Sequence, residues 1–503
     1  MSPLIIIATI SIYIAILFAV AFIAERNVDN AGYFSGNRRM SWWVTATAMI
    51  SAAMSGVTFI SVPGSVAISN FSYLQMVVGF IIGYAVIAYL LVPLYYRFNV
   101  TSLYEYLEKR FGTSSHRTGA WFFLISRTLI SALRAYVACT VLQLLVFDHY
   151  NIPFAVNASI FMLLVWLYSH RGGVRTIVRT DLLRTFTLVS CLILTILLII
   201  QHEGFSFKET ITAVAEHPYS KTLFTEDWND SRHLAKQLLA GIFMVVAMTG
   251  LDQDMMQRTL SCRTKRDAQK NLMVGILLQA VVILLFLTLG VLLYIYLQNN
   301  GITPSKGSLF PMFAPDGTAV IEKPDHTFPY VATSGILPIS IGILFVLGLV
   351  SSTFSSTGSA LTALTTSFTV DILRGQEKFD EKQLTKVRKK VNIGMAIVLM
   401  MTIIIFDLSN SDSIINTLYS VASYTYGPLL GMYLFGICTK RTVNDKFVPI
   451  VAIITPLICL LLRHYSEVWF NGYKFGFEIL IINAIFTIAG LTFISYRQQI
   501  KKT

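Results

Sequence analysis

Hydroxyl side chains crowd one stretch of an otherwise apolar part of the sequence. From Ser351 to Thr369, twelve of nineteen residues are Ser or Thr. Four serines follow the spacing that puts side chains on one face of an α-helix, namely Ser352, Ser355, Ser356 and Ser359. Such a stripe could hold a hard cation such as sodium, which prefers oxygen ligands to nitrogen or sulfur. Helix packing is the alternative, because small hydroxyl residues let helices approach closely.

A second stretch mixes small, polar and helix-breaking residues within an apolar run. They are Ser51, Ser55, Gly56, Thr58, Ser61, Pro63 and Gly64. This composition predicts a helix that is interrupted near its middle. Interrupted helices of secondary transporters expose backbone carbonyls and helix ends that bind sodium and substrate. A continuous helix kinked at the proline is the alternative.

Six ionisable residues lie within apolar segments: Arg127, Arg134, Asp181, Arg184, Asp252 and Asp254. Charges are costly in hydrocarbon, so these side chains are expected to face protein or water and are functional candidates. Near helix ends, snorkelling to the interface is the alternative. Asp252 and Asp254 are two residues apart and are expected on different sides of a helix, which argues against paired catalytic carboxylates. With no nucleophile or metal-ligand cluster evident in the sequence, an enzyme is not expected.

The elements that must position these residues are membrane-spanning helices. Of the 503 residues, 54% are hydrophobic and 13% are charged, about half the charged fraction of a typical soluble domain. No polar linker divides the sequence, so we expect a single all-α membrane domain. The five cysteines have no disulfide spacing and are expected to be packing residues. The first apolar stretch lacks a signal-peptide pattern and is expected to be a retained helix.

Thirteen apolar stretches are long enough to cross a bilayer. They are Pro3–Ala24, Trp43–Ile68, Leu74–Tyr96, Gly119–Phe147, Pro153–Tyr168, Ile177–Ile200, Leu234–Met256, Leu272–Leu297, Leu337–Ile372, Val391–Phe406, Ile414–Cys438, Val448–Leu462 and Phe477–Tyr496. The number is odd, so the two ends of the chain are expected on opposite sides of the membrane.

Basic residues are distributed unevenly between the two sets of alternate loops. Of the 39 Lys and Arg residues, 28 lie in or beside the loops that follow odd-numbered stretches, and 8 belong to the other set. Cytoplasmic loops carry the excess of basic residues. We therefore expect a multi-pass protein of the plasma (cell inner) membrane, with its N-terminus outside and its C-terminus in the cytoplasm. The same distribution explains the net charge of +12 without nucleic acid.

Six motifs occur in order along nearly the whole chain. They are SGVTFISVPG from Ser55, NVTSLYEYLEKRFG from Asn99, GGVRTIVRTD from Gly172, GLDQDMMQRTLS from Gly250, SSTGSALTALTTSFTVD from Ser355 and YTYGPLLGMYLFGICTKR from Tyr424. The sequence with these motifs resembles the sodium:solute symporters, a family that includes sodium-coupled sugar, proline, iodide and sialic acid transporters.

The resemblance implies a LeuT-like core of two inverted five-helix repeats, at residues 43–200 and 234–438. One extra N-terminal helix at 3–24 and two extra C-terminal helices at 448–496 complete the single transporter domain. It implies a sodium-coupled symporter that imports a small organic solute by alternating access, with the monomer expected to be functional. A proton-coupled symporter of an amino acid or carboxylate, using Asp181 or Asp252, is the alternative. A sensor is not expected, because only a few residues follow the last stretch.

The resemblance also implies a main sodium site between the broken helix and the hydroxyl-rich helix. Matching the motifs puts the two ligating hydroxyls on Ser355 and Ser356. Three backbone carbonyls would come from Ser352, one turn earlier, and from Ser51 and Met54 on the broken helix. These positions agree with the hydroxyl stripe and the interrupted stretch found from the residues alone.

Some members have a second sodium site, which would match Asp181 and Ser359 here. The sequence departs from it at Gly358, where a serine would supply one more oxygen. It also departs at Arg179 and Arg184, where family members often have Trp and Gln. Arg184 lies three residues after Asp181, and a pairing of the two would remove the second ion.

Five residues are expected at the substrate cavity. Ser55 and Thr58 follow the interruption, and Asp252 with Gln253 occupies the equivalent break of a later helix. Arg134 lies where sialic acid transporters place a carboxylate-binding arginine, a role that suits a planar guanidinium. A structural ion pair for Arg134 and a helix-holding hydrogen bond for Asp252 are the alternatives. The solute stays open between an acidic sugar such as sialic acid, a neutral sugar or polyol, and an amino acid, with the first two preferred.

Overall fold

The computed structural model describes residues 2–24, 40–98, 102–169, 173–304, 309–335, 337–408, 414–473 and 475–496. In these ranges the chain is mostly helical and forms two small antiparallel sheets. Strands β1 (Thr303–Pro304), β2 (Met312–Phe313) and β3 (Ala319–Ile321) pair in sequence order. Strand β4 (Thr442–Val443) pairs with β5 (Ser495–Tyr496).

The main helices are numbered α1 to α15 in chain order. They are α1 (Pro3–Ala24), α2 (Trp42–Ala53), α3 (Gly56–Gly64), α4 (Tyr73–Val86), α5 (Thr113–Leu142), α6 (Phe154–Ser169), α7 (Gly173–Glu203), α8 (Leu234–Val245), α9 (Gln253–Thr259), α10 (Lys265–Asn299), α11 (Ile339–Ser367), α12 (Glu381–Asp407), α13 (Ile414–Cys438), α14 (Val448–His464) and α15 (Ile479–Phe493). Every one of the thirteen predicted stretches overlaps one of these helices or a pair of them.

Shorter helices cap or connect the main ones. The α-helical ones are Val66–Ser69, Val92–Phe98, Glu105–Arg110, Phe207–Glu216, Thr327–Thr333, Gly375–Lys378 and Ser466–Trp469. Four π-helical segments extend α4, α5, α8 and α11, at Ile87–Leu91, Gln143–Phe147, Val246–Gly250 and Phe368–Ile372. Such wide turns are frequent where a helix serves a functional site.

Eight of the described helices are long and apolar enough to cross a membrane, and the number rises to ten when two bent pairs are counted as one span each. Their outer faces leave large apolar side chains exposed, as Phe22, Ile125 and Leu197 do, which fits a lipid-facing surface. The chain is therefore a multi-pass membrane protein. Two further apolar helices, α6 and α15, are shorter.

Two bends interrupt the bundle at the places where the sequence mixes small and polar residues. The axes of α2 and α3 meet at 60°, and those of α8 with its π-helical extension and α9 meet at 74°. At the first bend Met54 and Ser55 have extended backbone conformations. At the second, Asp252 is extended and its side chain accepts a hydrogen bond of 3.1 Å from the Met255 backbone NH. The predicted interruption of the second stretch is thus a true break.

The hydroxyl-rich helix α11 lies at the centre of the bundle. It packs against α5, α7, α2 and α3, and α1 braces it from one side. Tyr13 on α1 donates a 2.8 Å hydrogen bond to Ser351 on α11, which in turn donates to the backbone carbonyl of Arg184 at 3.3 Å. Helices α4 and α8 form another closely packed pair, as do α13 and α15. The central helix therefore contacts both halves of the broken helix.

Candidate substrate and sodium site

The broken helix touches the hydroxyl stripe at the break itself. Gly56, the first residue of α3, lies so close to α11 that a Cβ there would collide with the Thr353 hydroxyl. The same Cβ would lie 3.2 Å from a methyl group of Leu349. Only glycine allows this approach. The two features found separately in the sequence are therefore brought together in space.

Two of the predicted sodium ligands lie at the end of α2. Ser51 is buried in the last turn of that helix, and Met54 follows the helix directly in extended conformation. The last four carbonyls of a helix have no partner within it. A helix that ends at Ala53 inside the bundle thus supplies carbonyl oxygens where a cation could use them.

Ser352 and Ser356 are buried on the facing helix α11. Their hydroxyls donate to backbone carbonyls one turn earlier, from Ser352 to Leu349 at 2.9 Å and from Ser356 to Thr353 at 3.1 Å. A hydroxyl that donates its proton keeps lone pairs that can bind a cation. The side chain of Ser355 lies outside the described part of the structure, so its role stays a prediction.

A cavity lies beside the break, and the empty space within it and at its opening is about 750 Å³. The break itself, α4, α5, α8, α10 and α13 form its walls. Three of the predicted substrate residues line it, namely Ser55, Thr58 and Arg134. Tyr84, Thr249 and Gln279 add further polar groups. A cavity whose walls mix apolar and polar groups is typical of a site for a small solute.

Arg134 brings a positive charge to this cavity. In the part of the chain that the structure describes, it forms no ion pair, and its buried Nε has no hydrogen-bond partner. A cation withdrawn from water without an anion beside it is costly. The predicted alternative, a structural ion pair, is therefore absent among the described residues, and Arg134 is the group that an anionic ligand would neutralise.

Asp252 and Gln253 do not line the cavity. Asp252 accepts a hydrogen bond of 2.5 Å from the hydroxyl of Tyr426 and lies 3.4 Å from Arg127, a cavity residue. Gln253 accepts a 3.0 Å hydrogen bond from the Leu103 backbone NH. Both residues hold the second break in place beneath the cavity, which is the alternative that the sequence left open for Asp252.

The expectation that Asp252 and Asp254 face different sides of a helix is wrong. Arg127 donates from one terminal nitrogen towards Asp252 and from the other to Asp254. The reason is that Asp252 precedes α9 in an extended conformation, so helical spacing does not apply to this pair. Arg127 joins the two carboxylates instead.

Two tyrosines that the sequence analysis did not single out close one end of the cavity. Tyr73 at the start of α4 and Tyr419 on α13 both line it, and their hydroxyls are 2.9 Å apart. They are far apart in sequence and belong to no short motif. Only the folded arrangement, which brings the start of α4 to α13 at this hydrogen bond, reveals the pair.

Comparison with known proteins decides the family. The family model described as the sodium:solute symporter family matches residues 33–446. The chain belongs to the sodium:solute symporter family. This membership makes it a sodium-coupled transporter of a small solute and not an enzyme, as the motifs predicted.

Several relatives of this symporter are known. It is 25% identical over 464 residues to the sodium/sialic acid symporter SiaT of Proteus mirabilis, covering 90% of this chain and 88% of the relative. It is 23% identical to human sodium-coupled monocarboxylate transporter 2, covering 85% of this chain and 66% of the relative. A solved substrate-bound, outward-open structure of a Na⁺-coupled sialic acid symporter matches with a TM-score of 0.79 at 22% identity, over 97% of each chain. That structural match shows a shared fold.

In this symporter Asp181 is held by arginines. Arg184 donates to one of its carboxylate oxygens at 2.8 Å, and Arg258 lies 3.4 Å from the other. The Arg184 guanidinium also stacks on the ring of Tyr168 at 4.7 Å. The pairing that the sequence named as the condition for losing a second ion is present. Ser359 donates to Asp254 at 3.0 Å.

Tyr168 explains the glycine at position 358. A Cβ at Gly358 would overlap the Tyr168 hydroxyl and would lie only 2.7 Å from its ring carbon Cε1. A serine here has no room while Tyr168 stacks on Arg184. The departures from the second sodium site at Gly358 and Arg184 thus form one packed unit.

Gly358→Ser is therefore expected to destabilise the symporter without adding a sodium ligand. Overpacking of this kind costs about 1–3 kcal/mol, so the thermal unfolding temperature in detergent should fall. Gly394→Ser is the matched control, because a Cβ at Gly394 has nothing within 4 Å. An unfolding temperature unchanged from the wild type, together with an added sodium-dependent step in uptake, would contradict this packing argument.

Proposed function

We propose that this symporter imports a carboxylate-bearing sugar of the sialic acid type, driven by the inward sodium gradient. The observation that carries the proposal is Arg134, a partly buried side chain that faces the cavity without a described carboxylate partner. A carboxylate is the ligand that neutralises such a group, and the planar guanidinium can bind both of its oxygens. The hydroxyls of Ser55, Thr58 and Tyr84 line the same cavity and suit the hydroxyl groups of a sugar.

The coupling ion binds between the break and the hydroxyl stripe. Its ligands are the hydroxyls of Ser355 and Ser356 and the backbone carbonyls of Ser51, Met54 and Ser352. The contact of Gly56 with Thr353 supports this assignment, because it holds the two sets of oxygens next to each other. All five are neutral oxygen donors, the kind that suits a monovalent hard cation.

Sodium and solute are coupled through the broken helix. An ion between α2 and α11 favours the arrangement in which the break rests on the hydroxyl stripe. The same arrangement sets Ser55 and Thr58 in the wall of the solute cavity. Each ligand therefore stabilises the state that the other binds, a reciprocal coupling of typically about 1–3 kcal/mol. Alternating access then releases both on the cytoplasmic side.

The symporter moves one sodium ion per solute. Asp181, which would serve a second ion, is paired with Arg184 and lies near Arg258. Its second predicted partner, Ser359, donates to a different carboxylate. A guanidinium thus supplies permanently the positive charge that a second sodium ion would bring.

Asp181→Asn is expected to lower stability while leaving the sodium Hill coefficient at about one. Removing one partner of a buried ion pair costs about 3–5 kcal/mol. The matched double variant Asp181→Asn with Arg184→Gln should lose less than the sum of the two single variants. Parallel uptake of labelled sodium and labelled solute gives the stoichiometry. If the wild type takes up two sodium ions per solute and Asp181→Asn takes up one, the single-ion account is wrong.

All thirteen helical stretches cross the membrane, with the N-terminus outside. Their order gives two inverted five-helix repeats at residues 43–200 and 234–438, with helices 3–24 and 448–496 as additions. Contacts between loops support the alternation. Met40 bridges to Cys262 and β4 pairs with β5, which joins loops predicted to be cytoplasmic. Lys221 accepts a 3.1 Å hydrogen bond from the Phe71 backbone, which joins loops predicted to be outside.

Ligand binding to the purified protein tests the proposal. Sialic acid should raise the thermal unfolding temperature in sodium chloride and should do so weakly or not at all in potassium chloride, because binding stabilises the folded state by mass action. Galactose is the neutral comparison and should have little effect. Stabilisation by galactose alone would assign a neutral sugar. Stabilisation by sialic acid that follows pH and ignores sodium would favour proton coupling through Asp181 or Asp252.

A further inference from the structure

A second cavity lies beyond the paired tyrosines, and its empty volume is about 1190 Å³. The segment after α3, the start of α8, the end of α14 and the residues just before α15 form its walls. All four belong to loops or helix ends predicted to lie outside. Tyr73 and Tyr419 line this outer cavity as well as the central one. The two tyrosines, joined by a 2.9 Å hydrogen bond, therefore separate the outer cavity from the central cavity.

Two arginines reach the outer cavity, and they differ in their partners. Arg232 is neutralised, because its guanidinium donates to both carboxylate oxygens of Asp230 at 2.8 to 3.1 Å. Arg463 at the end of α14 donates only to the hydroxyls of Ser420 at 3.0 Å and Tyr424 at 3.4 Å among the described residues. Its positive charge has no carboxylate partner there.

An arginine without a carboxylate partner among the described residues thus lies on each side of the tyrosine pair. Arg463 lines the outer cavity and Arg134 lines the central cavity. A cleft of low-dielectric walls with one sign of charge concentrates ions of the opposite sign. The serine hydroxyls of the outer wall, such as Ser69 and Ser72, add hydrogen-bonding groups that suit a sugar.

We propose that the outer cavity is a capture site at which Arg463 binds the carboxylate of the solute before the Tyr73–Tyr419 pair opens. The solute then passes from one arginine to the other. This inference rests on the proposed acidic solute of the central cavity. The capture site is weak and independent of sodium, because the predicted sodium ligands lie at the end of α2 and on α11, and none of them lines the outer cavity.

Uptake kinetics of Arg463→Gln test the capture site. Loss of one steering charge should raise the KM for sialic acid about 3- to 10-fold and leave the maximal rate unchanged. The KM of the wild type should rise with ionic strength at constant sodium, and that dependence should be weaker in the variant. Arg463→Lys should stay close to the wild type. Lys208→Gln removes an equal charge from an exposed position on the same predicted face, away from the cavity, and should change nothing.

A binding measurement separates the two sites. In Arg134→Gln the central site is disabled, so saturation-transfer NMR should still detect weak, sodium-independent contact of sialic acid with the protein. Adding Arg463→Gln to that variant should remove the signal. If the wild type takes up sialic acid but neither measurement responds to Arg463→Gln, the capture site is wrong and the proposed function stands. If the wild type takes up no acidic solute, both are wrong.

Discussion

Replacing Ser355 and Ser356 together by alanine is expected to abolish sodium-dependent uptake. The variant removes two of the five oxygen ligands that we assign to the ion, and leaves the carbonyls of the broken helix facing an incomplete site. Loss of a buried polar partner costs about 1–3 kcal/mol for each group. Sodium affinity should therefore fall by roughly 30-fold or more, since about 1.4 kcal/mol corresponds to a factor of ten.

The control for this variant removes two hydroxyls from the same helix away from the break. Thr362 and Thr366 are buried on α11, and each donates to a backbone carbonyl one turn earlier, as Ser352 does. Thr362→Ala with Thr366→Ala should keep the sodium dependence of the wild type. If the variant with alanine at both Ser355 and Ser356 keeps the half-saturating sodium concentration of the wild type, the assigned ligands are wrong.

Arg134→Gln is expected to abolish uptake of an acidic solute and to make the protein more stable. Truncating one partner of a buried charge pair costs about 2–5 kcal/mol, so affinity for sialic acid should fall roughly 30-fold or more. The variant no longer holds a partly buried cation that has no anionic partner among the described residues, so its unfolding temperature should equal or exceed that of the wild type. Arg134→Lys keeps the charge but loses the planar fork and should be intermediate.

A change in the ligand checks the same contact from the other side. The carboxamide of sialic acid has the shape of the acid without its charge, so the wild type should bind the amide about as weakly as Arg134→Gln does. Arg134→Gln should bind acid and amide equally. If Arg134→Gln weakens binding of the acid and binding of the amide by the same factor, Arg134 shapes the cavity and does not bind the carboxylate.

Much of the fold follows from the sequence, because hydrocarbon imposes strong rules on composition and helix length. The apolar stretches matched helices, and the small and polar residues after Ser51 marked the break. The hydroxyl stripe of α11 was visible because helical spacing is regular within a continuous helix. Arg134 was found because a charge within an apolar segment is conspicuous.

The features that the sequence did not reveal depend on irregular backbone or on distant contacts. Arg127 joins Asp252 and Asp254 because Asp252 lies outside the helix, and no spacing rule predicts that conformation. Tyr73 and Tyr419 are distant in sequence and meet only in the folded chain. The reason for Gly358 is the ring of Tyr168 on another helix. Each case needs the three-dimensional arrangement, since sequence patterns report local periodicity alone.

Uptake into proteoliposomes tests the central claim most directly. The interior is made free of sodium, and labelled sialic acid is offered with an inward sodium gradient or with potassium in its place, at two values of external pH. The account predicts accumulation above the external concentration only with sodium, with little dependence on pH, and none for galactose or proline. Accumulation in potassium that follows the proton gradient, or sodium-driven accumulation of a neutral solute in preference to sialic acid, would contradict it.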